Sequence, residues 1–427
     1  MEKIMQYVWQ HRLWLQQDLA TVDGRRVRVI DQGLLNNDAG PDFFNAKIII
    51  GDQTWVGNVE IHVKASDWYA HHHDTDPAYN NVVLHVVGKD DARAYRPDGE
   101  EIAQMLLPCA ADFGERYRRM VMDRSAALPC LSRLCEIPQI YITDWISTLG
   151  FERIYAKVDR VMSVVERVGG DWQAAAYVTL ARALGFSINN DAFERLALAT
   201  PLKVLLHNRS DATAVEGILF GQAGFLDTTS ATDADYVSRL REQYTFLAAK
   251  YGLQRPQSPG WKMARMRPPT FPHRRLAALA AMIADDFKIA QRIFAVDSID
   301  SARALFDITL KGYWASHCNF NGAFTTTAKA FGRLSVDILL INVVVPLLYA
   351  YGTRYGSAAQ RDAAVDVLYQ LQPESNSIVN LFVSAGISCP DAFTSQALIE
   401  LRRSYCDARK CLYCRIGHRL LALNAKG

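Results

Sequence analysis

The sequence predicts a mixed α+β protein: an N-terminal α/β domain followed by a large all-α region. Strand-like segments are confined to the stretch between Arg26 and Val87. From about residue 112 onward the apolar residues recur at helical spacing instead. Acidic and histidine residues of catalytic character crowd the first part, and cysteines gather near the far end. A chain of 427 residues accommodates two or three domains at roughly 100–200 residues each. The expected division is an α/β domain over residues 1–112, a linker over 113–139 and an all-α region over 140–427. Pro129, Pro138 and two cysteines interrupt the pattern in the linker.

Residues 1–20 predict a helix with Ile4, Val8, Trp9 and Leu13 on one face. Arg26–Ile30 predicts a strand, and residues 33–42, rich in Gly, Asn and Asp, predict a loop. Ala46–Ile50 and Thr54–Ala65 flank a Gly51-Asp52 pair, which signals a hairpin. Asn81–Val87 is nearly all apolar, as a strand buried on both faces requires. Helices are expected over Phe113–Ala127, Ile140–Val168, Asp171–Leu184, Asp191–Leu206, Asp233–Tyr251, Pro272–Asp285 and Ser298–Trp314, with N-caps at Thr143, Asp191, Asp233 and Ser298. The apolar run Ile338–Gly352 is shorter than the ~20 residues a bilayer-spanning helix needs, and it contains Asn342 and Pro346, so it reads as a buried core helix.

Half the residues are hydrophobic and 22% are charged, enough apolar material for a real core. A net charge of +2 gives no global attraction to polyanions, so any such site must come from local clustering. The opening MEKIMQYVWQHRLWLQQ lacks a basic stretch followed by an apolar core. A cytoplasmic, reducing setting is therefore expected. There the eight cysteines serve as metal ligands or buried thiols rather than disulfides.

In WVGNVEIHVK, alternation places Trp55, Gly57, Val59, Ile61 and Val63 on one face, with Asn58, Glu60, His62 and Lys64 on the other. Burying such a polar row costs several kcal/mol unless its members are paired or hold a metal. Asp42, in GPDF just ahead of the preceding strand, brings a second carboxylate toward Glu60. Asp42 and Glu60 suit a divalent cation, Mg²⁺ or Mn²⁺, that activates water, with His62 or Lys64 positioning the water or stabilising charge. DWYAHHHDTDPAYNN adds Asp67, His71, His73, Asp74 and Asp76 at short metal-site spacing. His85, in NVVLHVV, reads as a hydrogen-bonded core histidine unless its ring reaches Glu60 or Asp67.

Toward the C-terminus, Cys406, Cys411 and Cys414 follow a C-x4-C-x2-C pattern, and Cys389 precedes them. Four thiolates there complete a zinc site or an iron–sulfur cluster. Two basic stretches, one with Arg265, Arg267 and Arg275 and the other with Arg409 and Lys410, offer phosphate contacts. In the first, Pro268, Pro269 and Pro272 predict an extended loop.

Pro41-Asp42 followed by Glu60-Ile61-His62 resembles the PD-(D/E)xK nuclease superfamily, with His62 where that family carries lysine and Lys64 one step further along the same face. The resemblance implies a nuclease-like phosphodiester hydrolase acting on DNA or RNA. The alternatives are a metal-dependent hydrolase of a small molecule and a non-catalytic nucleic-acid-binding or scaffold protein. GPDFFNAKI, WVGNVEIHVKASDWYAHHHDTDPAYNNVVLHVV, RMRPPTFPHRRLA and YCDARKCLYCRIG resemble, over nearly the whole length, the bacterial DUF2851 family of unknown function. That resemblance implies no activity.

Overall fold

The fold is drawn from a computed structural model, which describes residues 1–427 apart from 15–17, 37, 108–113, 116, 121–127, 129, 228–233, 257–259, 265, 268–269, 321–327 and 424–427. The chain divides into two compact units. One comprises Met1–Trp145, Leu381–Ile387 and Leu401–Gly427; the other comprises Ile146–Asn380 and Ser388–Glu400. The expected linker over residues 113–139 thus groups with the first unit, as do Leu381–Ile387. The C-terminal segment joins the first unit rather than ending the helical one.

In the first unit, helix α1 (Glu2–Gln10) packs on a seven-stranded mixed sheet. The strands are β1 (Leu19–Ala20), β2 (Arg26–Asp31), β3 (Leu34–Leu35), β4 (Phe43–Ile50), β5 (Gln53–Lys64), β6 (Val82–Lys89) and β7 (Gln104–Leu106). Their order is β1-β2-β4-β5-β6-β7, with β3 paired to β4 off this path. The expected first helix is shorter than its apolar face implied. It ends at Gln10, and Arg12 takes a left-handed conformation, φ +52°. The hairpin at Gly51-Asp52 forms as expected, with Ile50 opposite Gln53 and Gly51 at φ +60°.

β5 and β6 run parallel, with Glu60 opposite His85, and the short helix α2 (Asp67–Ala70) lies in their crossover. β6 and β7 are also parallel. Thr21 pairs antiparallel with Met105, so the two edges of the sheet meet and nearly close it into a barrel. Neither β1 nor β7 carries enough residues for its period-two pattern to stand out in the sequence. β5 is buried on both faces from Gly57 to Ile61 and on to His62. Its Val59–Ile61 side is core, and its Glu60–His62 side is an enclosed polar layer.

The second unit is helical throughout its described residues, apart from one bridge between Thr309 and Lys329. Asp171 caps Trp172–Leu184 and Ser298 caps Ile299–Ala304 with a reciprocal box, whereas Asp233 lies outside the described residues. Thr143 falls inside the helix Gln139–Arg167 and Asp191 inside Asn190–Ala199, so neither is a cap. The expected helix Asp191–Leu206 is two, Asn190–Ala199 and Leu202–His207, broken at Pro201. Proline cannot supply the N–H that continuity needs.

Arg333–Arg354 is long and apolar enough to cross a membrane, but 56% of its most apolar window is buried inside the protein. Its middle, Leu340–Val344, is a π-helical turn just ahead of Pro346. The wider turn accommodates a proline ring that would otherwise collide with the carbonyl four residues back.

Close packing of β5 against the β5–β6 crossover leaves no room at Gly57. A Cβ there would sit 2.4 Å from Val83 Cγ1 and 2.6 Å from the Asn81 carbonyl oxygen. Since backbone cannot move as a side-chain tip does, Gly57→Ala is expected to destabilise the first unit by about 1–3 kcal/mol. Urea unfolding followed by circular dichroism checks this; an unchanged midpoint would show that the two strands can separate at no cost.

Candidate metal centre

The polar layer of the sheet is held by an ordered sequence of hydrogen bonds. Gln104 Nε2 donates to Asp90 Oδ1 and to the Ala92 carbonyl, each at 2.9 Å. Its Oε1 is therefore the acceptor facing His85 Nδ1, 3.3 Å away. His85 then carries its proton on Nδ1 and presents the Nε2 lone pair to His62 Nδ1 at 2.9 Å. His62 in turn carries its proton on Nδ1, and its Nε2 lone pair is left facing outward. These tautomers follow from the donor and acceptor inventory of the chain.

Around His62 Nε2 stand three other donor atoms. His71 Nδ1 is 3.1 Å away and Glu60 Oε1 is 3.6 Å away, and His73 Nε2 lies 3.3 Å from the same Glu60 oxygen. The ligand atoms of His62, His71 and His73 all fall within 4.8 Å of one another. Nitrogen ligands ~2.0–2.1 Å from a tetrahedral metal lie roughly 3.3 Å apart, a spacing that His62 and His71 already approach at 3.1 Å.

The local fold explains how neighbouring histidines reach one point. α2 ends in a Schellman turn: the His72 N–H bonds the Tyr69 carbonyl, and the His73 N–H bonds the Trp68 carbonyl. His72 takes the left-handed position at φ +60°. Most L-residues adopt that conformation at a cost of about 1–2 kcal/mol. The turn places His71 and His73 beside His62 and leaves His72 exposed. His73 stacks on Tyr79 at 3.8 Å, which fixes its ring plane.

Glu60 is 5% exposed, and its Oε2 accepts the Asp42 N–H at 2.9 Å, which leaves Oε1 to face the histidines. Burial pushes its pKa up to about 8. Asp42 is pushed up to about 7 by burial and then by the neighbouring Glu60. Burial also depresses His62 to about 2, helped by His85, and depresses His85 to about 4. Two carboxyls that resist ionisation beside histidines that resist protonation form a site short of positive charge. Among the described residues, the only basic groups paired with Glu60 are His62 and His73.

The expected residues are placed as follows. Glu60, His62, His71 and His73 converge, and the ring of His85 reaches His62. Asp42 stands beside Glu60, but its oxygens accept the Gln6 amide at 2.8 Å and the Ile61 N–H at 3.1 Å, so it braces the site through its neighbours. Asp67 accepts the Lys64 N–H, and Asp76 caps the turn Pro77–Tyr79. The Lys64 side chain is exposed, and its charge acts on Asp91. Gln104 and Gln6 were not singled out in the sequence; the only signal was a glutamine within the apolar segment IAQMLL.

Of the residues expected to touch phosphate, Arg275 is buried between Phe186 and Phe331 and donates to the Ala330 carbonyl. Pro272 opens the helix Pro272–Ala284 rather than extending a loop, which turns Arg274 and Arg275 into the interior. Arg267 and Lys410 are exposed, Arg409 is half-buried, and Arg265 lies outside the described residues.

A mixed sheet carrying a buried glutamate among three convergent histidines defines the first unit as an α+β domain with a candidate metal centre. The chain belongs to the family described as "Protein of unknown function (DUF2851)", whose family model matches residues 2–377. That span holds the whole histidine site and ends ahead of Cys389. Searches of curated proteins and of solved structures find no match to this chain.

Two outcomes follow from the hydrogen-bond chain and the buried glutamate. Removing the group that fixes the His85 tautomer, by Gln104→Met, is expected to weaken metal binding about 10–100-fold with the fold intact. Competition with a chelator of known affinity measures this. In metal-free protein Glu60 binds a proton up to about pH 8 in the folded state, but only to about 4.3 when unfolded. Its contribution to stability is therefore lost as pH rises through that window. Glu60→Gln, which never ionises, is expected to gain in melting temperature over metal-free wild type between pH 5 and pH 8. A gap that narrows with pH would refute the raised pKa.

Proposed function

We propose that this protein is a metal-dependent hydrolase in which His62, His71 and His73 hold one transition-metal ion and Glu60 acts as the base beside it. The convergence of three imidazole nitrogens on one point, with a carboxylate oxygen within 3.3–3.6 Å of two of them, carries this reading. Three neutral nitrogen ligands favour zinc over the Mg²⁺ or Mn²⁺ that a pair of carboxylates alone would select. An ion held there would supply a water of lowered pKa, toward ~7, and so hydroxide at neutral pH. Glu60 Oε1 would accept the proton of such a water, while the Asp42 N–H on Oε2 holds the carboxyl group in place. His85 and Gln104 keep the His62 lone pair aimed at the ion. His71 is the exposed member of the trio and so the one open to solvent.

The electrostatic surroundings support a small, uncharged or cationic substrate over a nucleic acid. Asp42, Asp76, Glu2 and Asp74 all act on His73, against the effect of its burial. Phosphodiester hydrolysis of DNA or RNA, which the Asp42…Glu60-x-His62 order resembles, would need cations there instead.

Metal analysis of purified full-length protein is expected to find about one zinc per chain, lost in His62→Ala and His71→Ala. Glu60→Gln is expected to retain the zinc and lose at least about 100-fold in turnover against a panel of ester, amide and phosphodiester substrates, as removal of a general base does. Loss of zinc in Glu60→Gln would make Glu60 a ligand of a closed structural site and overturn the hydrolase. Preferred turnover of DNA or RNA by the wild type would restore the nuclease reading.

A further inference from the structure

We infer a second metal centre in the first unit, built from Cys130, Cys406, Cys411 and Cys414, with Cys130 rather than Cys389 as the fourth thiolate. Cys130 opens the short helical turn Leu131–Glu136, which packs against the C-terminal helix Arg415–Leu423. That helix packs against the turn Cys411–Tyr413, which itself meets the π-helical segment Leu401–Cys406. The four cysteines thus lie within or at the ends of four short elements that contact one another in succession.

A Schellman turn closes the segment between Cys406 and Cys411. The Arg409 N–H bonds the Cys406 carbonyl and the Lys410 N–H bonds the Tyr405 carbonyl, with Arg409 in the left-handed region at φ +52°. Gly417 is crowded so closely against the Cys411 carbonyl that any Cβ would overlap it. This close approach brings backbone N–H groups of the last helix to the Cys414 sulfur.

The electrostatics agree with the packing. Burial raises the Cys406 pKa first, and then Cys130, Cys414 and Cys411 raise it further. Burial likewise raises Cys130, followed by Cys414 and Cys411, and Cys411 itself is raised by burial and then by Cys414. Every pair among the four is mutually repulsive when ionised, which a cation relieves. Burial raises Cys414 as well, but there the N–H groups of Gly417 and Ile416 and the indole of Trp145 favour the thiolate. The Trp145 indole N–H is buried and has no other acceptor. Thiolates that accept N–H hydrogen bonds are the usual environment of cysteine-bound metals.

Cys389 belongs to the other unit, where its thiol faces the Asp391 carbonyl at 3.9 Å and feels Asp391 and Glu374 rather than any cysteine. His418, the other conceivable fourth ligand, hydrogen-bonds the Tyr7 hydroxyl. Cys135 is exposed. A single zinc with Zn–S bonds of ~2.3 Å and an iron–sulfur cluster share this four-thiolate chemistry. The histidine trio is the one group of described residues whose ligand atoms all fall within 4.8 Å of one another, so the sulfurs stand wider. A cluster, which places each thiolate on its own iron, requires less contraction than one ion does.

Anaerobically purified full-length protein should be analysed for iron, acid-labile sulfide and zinc. Iron with sulfide, or zinc beyond the amount lost in His62→Ala, supports the centre and identifies it. Neither metal beyond that amount overturns it. Cys130→Ser and Cys411→Ser are expected to lose at least nine-tenths of this metal, while Cys389→Ser and Cys135→Ser retain it. The reverse result for Cys130 and Cys389 overturns the ligand assignment. Because ligand variants can fail to fold, wild-type protein should also be alkylated under native conditions and mapped by mass spectrometry. Protection of Cys130, Cys406, Cys411 and Cys414 that a chelator abolishes is expected; labelling of Cys130 at the rate of Cys135 overturns the proposal.

Discussion

The burial of Glu60 in the middle of the sheet without a lysine or arginine beside it, among the described residues, is the constraint on which the rest of the first unit depends. An ionised carboxylate in an apolar interior is costly unless a positive charge or several hydrogen bonds compensate it. Here one oxygen is compensated by the Asp42 N–H, and the other faces only histidines. Burial also disfavours the charged forms of His62 and His73, so Glu60 holds its own proton unless a cation is supplied beside it. Much of the surrounding structure supports this position. Pro41-Asp42 delivers the backbone donor, α1 supplies Gln6 to Asp42, and the Schellman turn after α2 delivers two imidazoles.

The order of the hydrogen bonds gives the layer a direction. It starts from Gln104, whose amide is fixed by two acceptors, and passes through His85 to His62. Each group settles the tautomer of the next, so the lone pair at the end is fixed on His62 Nε2, where it accepts from His71 Nδ1 at 3.1 Å until an ion takes that proton's place. Pre-set ligands of this kind bind a metal without first losing rotamer freedom. The same logic explains why Asp42 is poorly suited to direct ligation. Its two oxygens are already engaged by Gln6 and Ile61, and drawing it onto a metal would break both bonds.

The sequence made the sheet's centre legible because β5 is long and alternates cleanly, and because β6 is almost wholly apolar. Glu60, His62 and their neighbours stood out because an acidic and an imidazole group in an apolar strand demand an explanation. What stayed hidden depended on pairing between distant segments. Nothing local in IAQMLL marks Gln104 as the partner of His85, since that contact arises from the parallel register of β6 and β7. The basic stretch near Arg275 misled for a related reason. Pro272 starts a helix as readily as it sustains a loop, and only tertiary packing between Phe186 and Phe331 turns Arg275 inward. Cys389 was attractive by proximity along the chain, but spacing in sequence says little about which thiols meet in space.

Why Cys130 should be the partner of a cluster so far along the chain follows from how the first unit is assembled. That unit is discontinuous: its sheet and the turn after Cys130 come from the first third of the sequence, and its last helix comes from the end. A segment that returns across so long a stretch of chain bears a loop-closure cost that its packing has to offset. Residues 401–427 are such a segment, with short turns and a single terminal helix between Arg415 and Leu423. Thiolate bonds to a metal supply folding free energy directly and do not need a large apolar interface. The proposed clasp, with one ligand from the early part and three from the late part, would therefore add stability where the unit closes on itself.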